Sequence, residues 1–284
     1  MMQFTDSHCH LDFTEFNENR SDLLLQCEAK NIHRIIVPSV NPKHWQRVLS
    51  LANLSKPSTH VNIACALGIH PWFLILQDSL STTNYNLSFQ EQQLKQTIMH
   101  SRNEIIAIGE CGIDVFKAKK NTPNEQAFIE NIQLQQDFFD MQLHIAKENN
   151  LPVIVHHCQS HSLILPLLKQ NKLDKAGVIH AFSGSYQQAK DYIDLGFKLG
   201  IGSTITYPRA KKTINAIKRL PLSSLLLETD APAMPPMGQQ GMINSPLNLI
   251  NVFQALVSIR GESEELIAEQ IEINVEQLFF SKRV

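Results

Sequence analysis

The sequence predicts an α/β protein of the (β/α)8 TIM-barrel type, and three observations carry that expectation. Eight short apolar runs recur along the 284 residues, rich in β-branched side chains and without strict alternation. Runs of that kind read as strands buried on both faces, hence parallel. Longer amphipathic stretches separate them, so each run and its successor form a strand–helix unit. The glycine-rich turn G-x-G-x-x-G is absent, which disfavours an open dinucleotide-binding sheet.

In chain order the runs are MMQFTDS at the start, RIIVPSV from Arg34, VNIACALG from Val61 and EIIAIGE from Glu104. LPVIVHH from Leu151, AGVIHAF from Ala176, FKLGIGS from Phe197 and SLLLETD from Ser224 follow. The clearest helix runs from Pro123 to about Asn149. Thr122-Pro123-Asn124-Glu125 reads as its capping box with proline at the first helical position. Phe128, Ile132 and Phe139 follow at helical spacing, and Asn149-Asn150 with Pro152 end it. Ser263 before Glu264 and Glu265 reads as an N-cap with an acidic first turn. The polar stretch 77–88 after the third run reads as a lid or as a surface excursion. With no repeat and no linker, residues 1–284 read as one barrel domain.

Composition narrows the class. Hydrophobic residues make up 43% and charged residues 18%, as in an ordered soluble chain. Lys plus Arg number 25 and Asp plus Glu 27, a net charge of −2, which excludes a polybasic nucleic-acid binder but allows local basic patches. Five cysteines without C-x-x-C spacing point to a reducing compartment. No apolar run approaches the ~18 residues of a membrane span. The start, MMQFTDSHCHLDF, lacks the basic and apolar regions of a secretory signal. A cytoplasmic protein is expected.

Catalytic groups of a barrel come from the C-terminal ends of its strands. Here the first run ends in Asp6-Ser7-His8-Cys9-His10-Leu11-Asp12, the fourth in Gly109-Glu110-Cys111-Gly112-Ile113-Asp114, the fifth in His156, the sixth in His180 and the eighth in Glu228-Thr229-Asp230. Every end carries a metal-ligand type. Residues i and i+2 of a strand share a face, so His8 and His10 both enter the mouth while Cys9 points away. Four imidazoles and two carboxylates exceed one closed tetrahedral site. They suit two divalent cations roughly 3.5–4 Å apart, sharing a carboxylate. Glu110 is the expected bridge. His8, His10 and Asp230 complete one site, and His156 with His180 holds the other. Mixed imidazole and carboxylate ligands admit Zn, Mn, Mg, Fe or Co. Such a pair lowers the pKa of bound water from 15.7 toward about 7, with Asp230 as ligand and proton acceptor. The reaction class is hydrolysis, with Asp230 and Glu110 as the catalytic carboxylates and no organic cofactor.

The motifs DSHCHLDF from Asp6, ALGIHPW from Ala66, AIGECGID from Ala107, LPVIVH from Leu151, GVIHAFSGS from Gly177, ITYPRA from Ile205, LLLETDAP from Leu225 and NVEQLF from Asn274 occur in this order along nearly the whole chain. The set resembles the TatD-family metal-dependent hydrolases, most of all their YjjV-like branch. The resemblance implies a TIM barrel, a divalent-metal centre and phosphodiester hydrolysis of the deoxyribonuclease type, with DNA as substrate. It carries the metal role onto His8, His10, Glu110, His156, His180 and Asp230. It also suggests a substrate-contacting His70. Where many members read H-x-R after the fifth strand, this chain reads His156-His157-Cys158, which bears on substrate and rate.

Weaker signals complete the picture. His70 ends the third run and faces the same mouth; the alternative is a buried histidine packed on Trp72. Cys158 is expected as a neutral thiol rather than a soft ligand, His157 as pointing away, and His161 as entering the next helix. His33, His44, His60, His100 and His144 are expected on the surface or on helices. Lys117, Lys119 and Lys120, and Arg209, Lys211 and Lys212, follow strand ends and would rim the mouth, with Arg209 a substrate contact. No aromatic interleaving suited to stacking single-stranded bases is visible. The alternatives to a deoxyribonuclease are a hydrolase of the same superfamily acting on a small amide, lactone or phosphoester, and a metal-binding barrel without catalysis.

Overall fold

The computed structural model describes residues 2–54, 60–75 and 86–281. Residues 77–85 of the polar stretch fall outside the described residues. Eight parallel strands form one sheet in the order of the chain. They are β1 (Phe4–Asp6), β2 (Ile32–Pro38), β3 (Asn62–Leu67), β4 (Ile105–Asp114), β5 (Val153–Cys158), β6 (Gly177–Ile179), β7 (Lys198–Ile201) and β8 (Leu225–Leu227). All eight apolar runs supply a strand. The ends of the sheet approach each other beyond the ladder: Ser7 N–H donates to the Leu227 carbonyl at 2.9 Å and Asp230 N–H to the His8 carbonyl at 2.9 Å. The sheet is a nearly closed barrel.

Helices fill the gaps: α1 (Arg20–Ala29), α2 (Trp45–Leu54), α3 (Leu87–His100), α4 (Val115–Asn121), α5 (Glu125–Glu148), α6 (His161–Asn171), α7 (Tyr186–Ile193), α8 (Lys211–Ile217), α9 (Leu249–Ile259) and α10 (Glu264–Val275). None of them is long and apolar enough to cross a membrane among the described residues. Ser263 caps α10 by accepting from Leu266 N–H, as its sequence predicts. The start of α5 differs. Its cap is Asn124, which accepts from Ala127 N–H at 2.9 Å. Thr122 instead closes the short helix α4, its amide and hydroxyl both donating to the Ala118 carbonyl at 3.0 and 2.9 Å. One threonine cannot end one helix and begin the next, and Pro123 is left between them.

The strands sort their side chains by alternation. Ile36, Ala64, Ala66, Ala107, Ile154, Val178 and Leu226 form an inner cluster, floored by Leu278 and Phe279 from the C-terminal segment. Ile35, Val37, Ile63, Cys65 and Leu67 face the helices in the larger outer cluster. Buried Asn274 anchors that C-terminal segment by donating to the carbonyls of Leu222 and Leu225 at 2.9 and 2.8 Å. The inner alternation, continued past the strands, brings His156 after Ile154, His180 after Val178, and Glu228 and Asp230 after Leu226 to the mouth.

Candidate metal centre

Strand β4 needs a correction to reach the mouth. Ala107 faces inward and Ile108 outward, so plain alternation would aim Glu110 at the helices. The β4–β5 register shifts between Ile108 and Cys111. Beyond the shift Cys111 and Ile113 face outward, and Glu110 and Asp114 are turned toward the site. A bulge of this kind re-aims side chains by one position. Gly112 lets β5 lie against it: a Cβ there, at φ +144°, would fall 2.1 Å from the His156 carbonyl oxygen. His8 and His10 lie just past the ladder of β1. The segment is held in place because Ser7, Cys9 and His10 donate in turn to Leu227, Ile36 and Ala231. Cys9 is fully buried on the helix side. Asp230 sits in the left-handed region at φ 57°, which aspartate tolerates better than most residues.

The ligand atoms converge. His8 Nε2 and His10 Nε2 are 3.3 Å apart. They lie 3.2 and 3.5 Å from Glu110 Oε2 and 3.6 and 3.5 Å from Asp230 Oδ1. His180 Nε2 is also 3.6 Å from Asp230 Oδ1, and its ring stacks on His8 with centroids 3.4 Å apart. Donors about 2.1 Å from a tetrahedral ion stand about 3.4 Å from one another. These residues therefore fit a divalent cation. The other oxygen of Glu110 faces a different set: Oε1 lies 2.8 Å from His156 Nδ1 and 3.2 Å from His70 Nε2.

A sequence profile described as TatD related DNase matches residues 5–280. The chain belongs to the TatD-related DNase family. It is 38% identical over 277 residues to the uncharacterized metal-dependent hydrolase YjjV of Escherichia coli (strain K12), covering 98% of both chains. It is 36% identical over 280 residues to an uncharacterized metal-dependent hydrolase of Haemophilus influenzae, covering 98% of this chain and 100% of that one. The crystal structure of the E. coli YjjV protein, a TatD homologue, superposes with a TM-score of 0.85 at 37% identity, covering 98% of each chain. Like these TatD relatives, the protein is a metal-dependent hydrolase.

All six residues expected as ligands in this TatD chain line one mouth, but not in the expected pairs. His180 groups with His8 and Asp230, and no group of converging ligand atoms among the described residues joins it to His156. His156 instead meets Glu110 and His70. His70 accepts from Trp72 N–H through Nδ1 at 3.0 Å, so a neutral ring carries its proton on Nε2, facing Glu110. Burial pushes His70 down to about 4, which keeps it neutral. Cys158 joins none of the groups, and burial pushes its thiol up to about 11, as a neutral thiol requires. His157 faces away and touches Tyr192, and His161 opens α6. His33 departs from its expected place on the surface or a helix: it lies in β2 and pairs with Glu272 at 3.5 Å, whereas His44 ends a short 3-10 helix and pairs with Asp12 at 2.9 Å. Arg209 is exposed over the Tyr207 ring and lines a neighbouring depression of about 250 Å3. That depression shares Met234 with the cavity over the centre, so Arg209 stands beside that cavity.

The cavity over the centre, about 500 Å3, is lined by His10, Glu110, His156, His180 and Asp230, with His8 buried beneath them, and by Phe13, Trp72, Phe73 and Met234. This aromatic rim was not foreseen from the sequence. Phe13 follows β1 while Trp72 and Phe73 follow β3, so no single local pattern announces it. The sequence reading also placed two buried carboxylates at strand ends without giving them a role. Glu228 Oε1 lies 2.9 Å from His180 Nδ1, which leaves His180 Nε2 for the site. Asp114 Oδ2 lies 3.1 Å from His156 Nε2. Their signal was present, since both end strands beside residues that were read as ligands.

Charge explains the proton affinities. Burial depresses His10, but Asp230 and Glu110 outweigh it and push the imidazole up to about 10. Burial likewise opposes His156, which Asp114 and Glu110 push up to about 9. Burial would raise Glu110, yet His70 and His8 with the bonds from His10 and His156 hold it well below the carboxylate range. In the metal-free protein, protons thus supply the positive charge that two buried carboxylates demand. A metal must displace them. Apparent Zn2+ affinity is therefore expected to climb with pH through neutrality toward pH 9, by about one log unit per pH unit for each proton displaced. Competition with a chelator at a series of pH values measures this, and a flat profile would remove His10 and His156 from the ligand set.

Proposed function

We propose that the protein is a deoxyribonuclease with two divalent cations, hydrolysing DNA phosphodiesters at an end or in a single strand. The observation that carries the two-ion reading is Glu110, whose oxygens face separate histidine sets at 2.8–3.5 Å. Membership of the TatD-related DNase family supports DNA as the substrate. The ions would be held by His8, His10, His180 and Asp230 on one side of Glu110 and by His156 on the other. Bound there, they make hydroxide available at neutral pH and draw charge from the phosphoryl oxygen under attack. Asp230 is the proton acceptor: burial would raise it, but His180 and His10 keep it well below the carboxylate range, so it is ionised. His70 offers its Nε2–H to an oxygen that gains charge. A cavity of about 500 Å3 with an aromatic rim supports one nucleotide-sized unit at the centre rather than a duplex.

The test is a screen of the metal-reconstituted protein on single- and double-stranded DNA, RNA, small phosphodiesters, and amide and lactone substrates. Turnover of DNA well above the others is the expected result. Turnover confined to amides or lactones would replace the nuclease reading with that of another hydrolase of the superfamily, and no turnover with metal bound would leave a binding barrel.

The rim cations give a second check. Lys117 lies 4.5 Å over the Trp72 ring at the cavity edge, and Arg209 4.7 Å over Tyr207. Neutralising Lys117, Lys119 and Lys120, or Arg209, Lys211 and Lys212, is expected to raise KM for a short DNA strand and to leave kcat nearly unchanged. These side chains bind ground and transition states alike. Each lost phosphate contact removes about 0.7 from the log–log salt slope for a single strand. A KM independent of salt in the wild type would favour a small uncharged substrate.

A further inference from the structure

The geometry points to Asp114 as the positioning residue that decides which nitrogen of His156 meets the metal. The inference rests on the metal reading above and adds a residue to it. Asp114 is buried at the end of β4 and its carboxylate is held on every side. Oδ1 accepts from Lys117 N–H at 2.6 Å and so caps α4. Oδ2 accepts from the Trp72 indole N–H at 2.6 Å and lies 3.1 Å from His156 Nε2. Its own amide donates to Gln135 Oε1 at 2.8 Å, and Gln135 donates to Asn131 Oδ1 at 2.7 Å. A carboxylate fixed in this way can only accept. His156 Nε2 must then keep its proton, so the proton that a metal displaces is the one on Nδ1, which faces Glu110 Oε1 at 2.8 Å. A carboxylate behind a ligating imidazole sets its tautomer and raises its basicity. Trp72 completes the device, because its exposed ring lines the cavity while its N–H steadies the same oxygen.

The decisive variant is Asp114→Asn, since asparagine caps helices as well as aspartate does. With its one oxygen kept on Lys117 N–H, the amide group turns toward His156 and Trp72. Two donors then face the Trp72 N–H and the His156 Nε2–H. The ring escapes by moving its proton to Nδ1, which removes the ligand. Zn2+ affinity of the His156 side of the centre is expected to fall about 10–100-fold, the usual cost of losing such a partner. The His8, His10 and Asp230 side should be unaffected. Trp72→Phe, which keeps the carboxylate and loses only the indole N–H, should weaken the same ion by less.

Nitrogen-15 spectra of the Zn2+-loaded wild type read the tautomer directly and do not depend on any variant folding. Protonated Nε2 with Nδ1 on the metal is the expected result. Metal on Nε2, or unchanged Zn2+ affinity in a folded Asp114→Asn, would overturn the assignment while leaving the hydrolase reading intact. A wild type that binds no divalent ion overturns both. Failure to cleave DNA touches only the substrate reading, because metal affinity and tautomer are read without substrate.

Discussion

Asp230→Asn is expected to lower kcat by about 10²–10⁴-fold, the range for removing a positioned acid–base group, while the fold is kept. Asparagine has the same shape and tolerates the left-handed backbone that Asp230 adopts at φ 57°. Its backbone N–H still donates to the His8 carbonyl and its carbonyl still accepts from Ala233. What disappears is the negative charge and the second oxygen lone-pair set. Three imidazoles, His8, His10 and His180, lie 3.5–3.6 Å from Oδ1, and an amide oxygen remains a weak partner for whatever sits among them. An amide cannot take a proton at neutral pH. The loss should therefore appear in kcat at saturating metal, with KM little changed, since the substrate is not touched in the ground state. Steady-state kinetics over a metal titration separate the two. Wild-type turnover at saturating metal would remove Asp230 as proton acceptor and leave it a ligand alone.

The barrel was legible because parallel strands buried on both faces write themselves as continuous apolar runs, and each of the eight runs became a strand. The convergence of these side chains was legible because a barrel presents strand ends at one mouth. What sequence could not supply is stagger between strands. Simple alternation from Ala107 would aim Glu110 at the helices, and only the register shift in β4 turns it inward. The pairing of His180 with Asp230 rather than with His156 depends on the same kind of offset. Helix α5 shows a second limit. Apolar periodicity marked Phe128, Ile132 and Phe139, yet Asn131, Gln135 and Gln142 are buried as fully as Phe139. They lie there because Gln142 clamps both the amide and carbonyl of Ile69, at 2.7 and 3.1 Å, just before His70. Gln135 in the same way holds Asp114. A polar residue on a core-facing stripe reads as solvent exposed until the loop it serves is placed.

Removing histidines should divide the centre along the line that Glu110 draws. His8→Ala with His10→Ala is expected to cost one bound Zn2+ and His156→Ala the other, each reducing activity to near background. His180→Ala discriminates between the two ways of pairing the ligands. Strand order alone couples it to His156. The structure couples it to the first set, because its Nε2 faces Asp230 at 3.6 Å, its ring lies 3.4 Å from that of His8, and Glu228 holds Nδ1 at 2.9 Å. Loss of His180 should then weaken the ion already lost in His8→Ala with His10→Ala, and should leave the ion governed by His156 at wild-type affinity. Combining His180→Ala with the His8 and His10 changes should add nothing further, since residues acting as one unit are not additive. Combining it with His156→Ala should empty both positions. Metal content after exhaustive dialysis, with competitive titration of the weaker ion, reads these outcomes. If His180→Ala and His156→Ala deplete the same ion, the division is wrong, and Glu110 would not be the boundary between two metal positions.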